Sequence, residues 1–406
     1  MIGAPLATWS PSVRSVNFMH CPECGTEHAL GAKCRSGPDL CPPNNPERLD
    51  ADGADARGAH LISGTLVGGQ YRLLRKLGEG GMGCVFLAEH LRIPRKSAIK
   101  VIRPALADDP DTISRFYREA ENASRVSHPN AAAIYDFGQT GDGTLYLAME
   151  YVEGERLSKL VERSGALSPR RAAEIAYQAA EALAAAHDLG IVHRDVKPDN
   201  LLVTAVREGV DLVKVVDFGL AKAGLLRDQM VTGSGVTIGT PAYMSPEQLM
   251  GDPVDARTDV YSLALTAFYM LTGELPFPDG DTPEGVAARL TGRPRRLSEV
   301  WNGMHWSEGI EAVLAKALST RPAKRYARVT DFAAALRTEV ELSFPSETTL
   351  AVVRVRTAEV LKDAELAARA PGRRLRRLSR RTVAWAGAVL AGALLALAAL
   401  LLIARR

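Results

Sequence analysis

The 406-residue sequence has almost no charge bias: 50 lysines and arginines face 47 aspartates and glutamates, a formal net charge of +3. So even a balance builds no field for a polyanion, which argues against nucleic acid as a partner. Cysteine is scarce and unevenly placed. Cys21, Cys24, Cys34 and Cys41 fall before residue 42, and Cys84 stands alone beyond them. That excludes a disulfide-stapled secreted scaffold and leaves a local metal site or a patch of reduced thiols. Over the first twenty residues no positively charged start leads into an apolar core, so no signal peptide is expected. Charge is also missing from one long stretch, Val383 to Ala404. As a helix rising 1.5 Å per residue that stretch reaches about 33 Å, enough to cross a bilayer rather than sit as a buried core helix.

What is present divides the chain into a cysteine-bearing leader over 1–45, a linker over 46–68, a folded domain over 69–342, a basic segment over 343–382 and the apolar span over 383–404. In the leader, Cys21-Pro22-Glu23-Cys24-Gly25 is a knuckle that offers two thiolates from one tight turn, the geometry tetrahedral zinc takes. Cys34 and Cys41 are candidates for the closing ligands. Their six-residue separation is not a second knuckle, so His20 and His28 also stand as candidates. The run of Pro, Asn, Asp, Ala and Gly from Pro42 to Gly58 reads as linker.

The domain opens on a strand, Tyr71 to Leu77, which runs into Gly78-Glu79-Gly80-Gly81-Met82-Gly83. Glycines at this spacing let a backbone turn lie against phosphates where any Cβ would collide. A dinucleotide fold uses the same spacing to open a helix. Here Val85-Phe86-Leu87-Ala88 continues as strand, which predicts a phosphate-covering hairpin. Lys100 sits in the apolar strand Ser97–Ile102, and a buried ammonium needs an anion. The helical period of Asp111–Ala123 puts Phe116, Ala120 and Ala123 on one face with Glu119 beside it, so Glu119 is the expected partner. Ser168-Pro169 caps a long helix whose buried face carries Ile175, Ala179, Leu183 and Ala186.

The polar loop His193-Arg194-Asp195-Val196-Lys197-Pro198-Asp199-Asn200 lies between apolar strand-like runs. A loop so charged and so tightly pinned is where a fold places chemistry. Val213–Val216 leads to Asp217-Phe218-Gly219, a carboxylate at a strand end facing Asn200 and suited to a divalent cation. An earlier Asp136-Phe137-Gly138 precedes the polar loop and is read as a decoy. Thr232, Ser234 and Thr237 lie in a glycine-bearing segment ending near Ser245-Pro246-Glu247, and Arg325 is placed to reach Glu247.

Taken in order over about 71–340, these stretches resemble the eukaryotic-like protein Ser/Thr kinases, specifically the membrane-bound bacterial group. The resemblance implies an α+β bilobal fold, with a β-rich upper lobe and a helical lower lobe, and ATP with magnesium or manganese between them. It implies that Leu77, Gly78, Glu79, Gly80, Gly81, Met82, Gly83, Val85 and Ala98 surround the nucleotide, with Met149 as gatekeeper and Glu150 and Val152 offering hinge backbone to adenine. Lys100 would hold the α- and β-phosphates against Glu119. Asp195 would serve as base for the substrate hydroxyl, Lys197 would steady the γ-phosphate, and Asn200 and Asp217 would bind metal. Lysine two positions after the base is the Ser/Thr pattern. Arg194 would receive a phosphorylated Thr232, Ser234 or Thr237 after autophosphorylation in trans. Two departures, Ser97 where valine is usual and Ser245 where alanine is usual, remove no catalytic group. The alternative is a membrane-tethered pseudokinase or a zinc-dependent scaffold, which the complete set Lys100, Asp195, Asn200 and Asp217 disfavours.

The arginines from Arg373 to Arg381 outweigh Arg405 and Arg406 beyond the span. The heavier flank stays inside, which predicts a tail-anchored protein of the inner or plasma membrane with its kinase domain cytoplasmic. The same arginines are expected to meet anionic headgroups. Ala384, Ala388, Gly392 and Ala396 form a small-residue stripe suited to pairing two spans in a homodimer. Protein substrates are the expected partners. No outer sensor domain is expected after the span, so input is expected from inside, through the membrane helix or through the cysteine-bearing leader.

Overall fold

The computed structural model describes residues 18–20, 27–29, 63–80, 83–102, 110–207, 209–218, 241–277 and 282–345. The chain separates into two units, 1–62 and 63–406. In the first, β1 (Phe18–His20) and β2 (Glu27–Ala29) form an antiparallel hairpin, with Phe18 opposite Ala29 and His20 opposite Glu27. The six residues joining the strands carry Cys21 and Cys24; these two, with Cys34 and Cys41, lie outside the described residues.

The second unit begins with a six-stranded antiparallel sheet in the order β3-β4-β5-β6-β8-β7. Its strands are β3 (Leu66–Val67), β4 (Tyr71–Gly80), β5 (Gly83–His90), β6 (Lys96–Ile102), β7 (Ile134–Gln139) and β8 (Leu145–Glu150). Between β6 and β7 runs α1 (Pro110–Ser124), which buries Phe116 and Ala120 against Leu145, Leu147 and Met149, and Ala123 in the core of the lower lobe. Those three residues mark the face the 3.6-residue period selects, since residues three and four apart share one side of a helix. Asp136-Phe137-Gly138 lies within β7. Asp136 Oδ2 accepts from the Tyr146 hydroxyl at 3.1 Å, and the Phe137 ring meets Tyr117 edge-on at 6.0 Å. Burial and the nearby Asp136 carboxylate push the Tyr146 phenol up to about 12. This triplet is therefore part of the upper sheet.

Below the sheet, β9 (Glu155–Arg156) leads into α2 (Leu157–Ser164) and α3 (Pro169–His187). Ser168 caps α3 by accepting from the Arg171 N–H. One alanine-rich face of α3, with Ile175, Ala179, Leu183 and Ala186, is fully buried. β10 (Leu201–Arg207) and β11 (Val210–Val215) form a three-stranded sheet with β9 in the order β11-β10-β9. After them come α4 (Pro246–Met250), α5 (Arg257–Thr272), α6 (Pro283–Thr291), α7 (Leu297–Val300), α8 (Glu308–Ala317) and α9 (Val329–Ser343). α5 is buried on nearly every side and forms the axis of the lower core, beside α3, α8 and α9. Alanine suits α3 because a side chain that small lets neighbouring helices approach closely while keeping high helix propensity.

The architecture is bilobal, β-rich above and helical below. Among the described residues no helix is long and apolar enough to cross a membrane. The basic cluster and the apolar stretch over 383–404 lie outside the described residues.

Candidate active site

The upper wall of the cleft is the β4–β5 hairpin. Its register pairs Gly80 with Gly83 and Glu79 with Cys84. Gly83 has a φ of +152°, and a Cβ there would come within 1.8 Å of the Val101 carbonyl oxygen. Only glycine can close this turn. Gly81 and Met82, at the tip, lie outside the described residues. Ala98 pairs across the sheet with Met149, and both belong to a buried cluster against which Leu77 and Val85 pack. Four residues expected around the nucleotide, or beside it as gatekeeper, thus share one apolar roof. The Glu150 carboxylate is spent on Lys214 at 2.9 Å and on the Ala133 N–H at 3.2 Å, and its own N–H donates to the Ala133 carbonyl. The Val152 carbonyl accepts from the Gly154 N–H. A ligand at the hinge would therefore meet backbone, not the Glu150 side chain.

The lower wall is the loop between α3 and β10. One carboxylate oxygen of Asp195, Oδ2, accepts from Lys197 Nζ at 2.9 Å and from Asn200 Nδ2 at 3.0 Å. The same Nδ2 also donates to the Asp195 carbonyl at 2.8 Å. With its nitrogen committed to Asp195, the Asn200 amide keeps its oxygen for another contact. His193 is 1% exposed, its Nδ1 accepts from the Asp195 N–H, and its Nε2 lies 3.0 Å from the Val216 carbonyl. Because Nδ1 accepts, the ring proton is on Nε2, which donates to Val216. The loop is thereby tied to the strand end carrying Asp217.

Two residues of this site adopt left-handed backbone, Arg194 with φ 65° and Asp217 with φ 62°. For residues other than glycine such conformations cost about 1–3 kcal/mol each and persist only where the surroundings enforce them. At Arg194 the enforcement is visible. Asp259, fully buried in the first turn of α5, accepts from the His193 N–H and the Arg194 N–H at 2.9 Å each, and from His187 at 2.7 Å. The Arg194 carbonyl accepts from Gln248 Nε2 at 2.8 Å.

The expected Lys100–Glu119 pair is not formed, which corrects the sequence-based expectation. Lys100 Nζ lies 3.0 Å from Asp217 Oδ2, and Glu119 Oε1 is buried with no hydrogen-bond partner. Burial pushes the Glu119 carboxyl above the ordinary range, and Arg194, Arg118 and Arg115 only partly oppose it. The physical reason is competition. The Lys100 ammonium is almost enclosed and takes the Asp217 carboxylate, which leaves Glu119 without the lysine.

Arg325 meets Glu247 as expected, and more completely. Its two Nη atoms each reach a carboxylate oxygen at 2.7 Å, and its remaining N–H groups go to the carbonyls of Ser319, Arg257 and Thr320. All five guanidinium donors are satisfied. Thr258 adds a hydroxyl to Glu247 at 2.7 Å. Burial alone would raise the Glu247 carboxyl, but Arg325 and Thr258 more than offset it and hold the group below the ordinary range.

Asp259, His193 and Gln248 have positions in the site that the sequence reading did not assign. Asp259 carries a signal: a carboxylate inside an apolar helix needs partners for the reason Lys100 does. Gly219, Thr232, Ser234 and Thr237 lie outside the described residues. For a divalent cation the donor set is the Asp217 carboxylate and the Asn200 amide oxygen. Two hard oxygen donors fit a cation that is mainly ligated by phosphates and water. Among the described residues no group of three or more His, Cys, Asp or Glu forms a metal cluster.

A model of the protein kinase domain matches residues 71–337. The chain is 40% identical over 277 residues to serine/threonine-protein kinase pkn3 of Myxococcus xanthus, covering 68% of this chain and 50% of that protein. It is 44% identical over 261 residues to serine/threonine-protein kinase PknB of Mycobacterium tuberculosis, covering 63% and 41%. It is 35% identical over 311 residues to serine/threonine-protein kinase PrkC of Bacillus subtilis, covering 76% and 47%. The chain thus spans half or less of the length of these relatives. The crystal structure of the Mycobacterium tuberculosis PknI kinase domain superposes with a TM-score of 0.56 at 32% identity, over 69% of this chain and 99% of that one. With the two lobes and the loops of the cleft in place, the chain belongs to the protein kinase family, and its relatives are bacterial Ser/Thr kinases.

Proposed function

We propose that this chain transfers the γ-phosphoryl group of ATP to serine and threonine hydroxyls of proteins. The observation that carries this is the Asp195 carboxylate held by Lys197 and Asn200, in a loop that His193 ties to the strand end carrying Asp217, which in turn pairs with Lys100. Magnesium-bound ATP, or its manganese form, would supply the phosphoryl group and the charge that offsets its oxygens. The residues of the chain orient and move the proton. Asp195 accepts the proton of the incoming hydroxyl. Lys197, already beside that carboxylate, stabilises the charge that develops next to it. Asn200 and Asp217 would hold the metal, and Lys100 the inner phosphates, with the hairpin of Gly78, Gly80 and Gly83 as cover. Glu119 would take Lys100 when Asp217 turns to the metal.

The test is incorporation of labelled phosphate by the full chain with ATP and magnesium, beside Asp195→Asn. Loss of at least about a thousandfold in the variant is expected if Asp195 is the base. Equal incorporation by both would sink the assignment.

Three parts of the reading rest on sequence. Autophosphorylation at Thr232, Ser234 or Thr237 would place a dianion near Arg194, whose Nε is buried without a partner. The apolar stretch over 383–404 would anchor the chain in the inner or plasma membrane, with arginines 373–381 on anionic headgroups, the kinase domain cytoplasmic and the small-residue stripe available for a homodimer. The leader would bind zinc through Cys21, Cys24, Cys34 and Cys41. The pairing of His20 with Glu27 supports this, because those two residues flank the six-residue connection in whose sequence Cys21 and Cys24 lie. Metal content should drop from one zinc per chain to none in Cys21→Ser/Cys24→Ser, and a wild type free of metal would end that reading.

A further inference from the structure

Gln248 uses both ends of its side chain. Its Oε1 accepts from the Ser245 N–H at 3.1 Å, and the Gln248 N–H in turn donates to Ser245 Oγ at 3.4 Å, a reciprocal cap on α4. Its Nε2 leaves that cap and donates to the Arg194 carbonyl at 2.8 Å. Residues 54 apart in sequence are thereby joined by one amide. Arg194 is the left-handed residue directly before Asp195, and its N–H is already held by Asp259. Its peptide groups are thus gripped from both sides, by Asp259 from α5 and by Gln248 from α4. A left-handed arginine relaxes toward ordinary backbone once its restraints loosen, and that relaxation would turn the Asp195 backbone with it.

We infer that Gln248 is a positioning residue for Asp195, linking the start of α4 to the geometry of the loop that carries the base. This rests on the proposed phosphoryl transfer for its consequence in rate, but not for the restraint itself. The capping function and the link are separable, because glutamate at this position preserves the Ser-x-x-Glu cap and removes only the donor. A cap alone predicts that Gln248→Glu is silent. A link to Arg194 predicts that it is not, since a carboxylate oxygen would then face a carbonyl oxygen.

The experiment compares the full-length wild type with Gln248→Glu, Gln248→Met and Ser245→Ala. For Gln248→Glu we expect a melting temperature within about 2 °C of wild type, a kcat lower by about tenfold and an unchanged KM for ATP. Gln248→Met should lose both rate and stability. Ser245→Ala should lose stability while keeping the wild-type kcat. Hydrogen exchange over residues 191–198 gives a readout independent of catalysis, faster in both Gln248 variants and unchanged in Ser245→Ala. A Gln248→Glu protein with wild-type exchange over that loop overturns the inference, whether or not the wild type transfers phosphate. A wild type without transfer activity but with faster loop exchange in Gln248→Glu upholds the link and counts only against the proposed function.

Discussion

The two walls of the cleft are finished to different degrees. Below, the two carboxylates that brace the site are fully partnered: Asp259 takes two backbone N–H groups and a histidine, and Glu247 is held by Arg325, which places all five donors. Above, Glu119 is half-buried with one enclosed oxygen unpaired, and Lys100 is paired with Asp217 instead of within its own lobe. The difference shows where the molecule can change state cheaply. A satisfied buried network resists rearrangement because breaking one contact leaves another charge stranded. An unsatisfied carboxylate has free energy to gain by moving, so the upper wall is the adjustable one.

The comparison is most easily broken at Arg325. Replacing it with methionine leaves Glu247 enclosed without its cation, and a stability loss of about 3–5 kcal/mol is expected. The pH dependence should invert as well. In the wild type the Glu247 carboxyl is held below the ordinary range, so its contribution is present above the unfolded-state value and is lost as pH falls through the folded one. In Arg325→Met desolvation acts unopposed and raises the group, so stability should fall as pH rises through the carboxylate range. Urea unfolding of the two proteins between about pH 4 and pH 8 checks both signs. A loss below about 1 kcal/mol would mean that the lower wall is not a rigid element.

Much of this contrast could be read from sequence wherever the signal is local. The buried face of α1, the Ser168 cap of α3 and the hairpin closing at Gly83 follow from period, capping chemistry and steric need. The Glu247–Arg325 pair was also within reach, because a buried carboxylate demands a cation. The partner of Lys100 was not. Glu119 and Asp217 both satisfy the demand, and the choice depends on how α1 sits against the sheet, which no window of sequence encodes. The left-handed backbone at Arg194 has no local cause either. It is imposed by Asp259 and Gln248 from helices far along the chain.

The smallest expected effect lies in the upper wall and has an unusual sign. Glu119→Gln keeps the shape of the side chain and removes a charge whose burial raises the carboxyl. With the folded value above the unfolded one, the folded protein holds this proton more tightly. The cost of ionisation is therefore absent below the unfolded value, grows through the window between the two, and is complete at neutral pH. Glu119→Gln should thus raise stability at pH 7 by up to about 1 kcal/mol and leave it unchanged near pH 4. Phosphoryl transfer should fall in the same variant, because an amide offers Lys100 no charge once Asp217 is engaged elsewhere. A protein both more stable and less active would mark Glu119 as held in place for function at the expense of the fold. If Glu119→Gln instead destabilises at pH 7, the positive charge of Arg194, Arg118 and Arg115 outweighs the cost of burial, and the two walls are more alike than their geometry suggests.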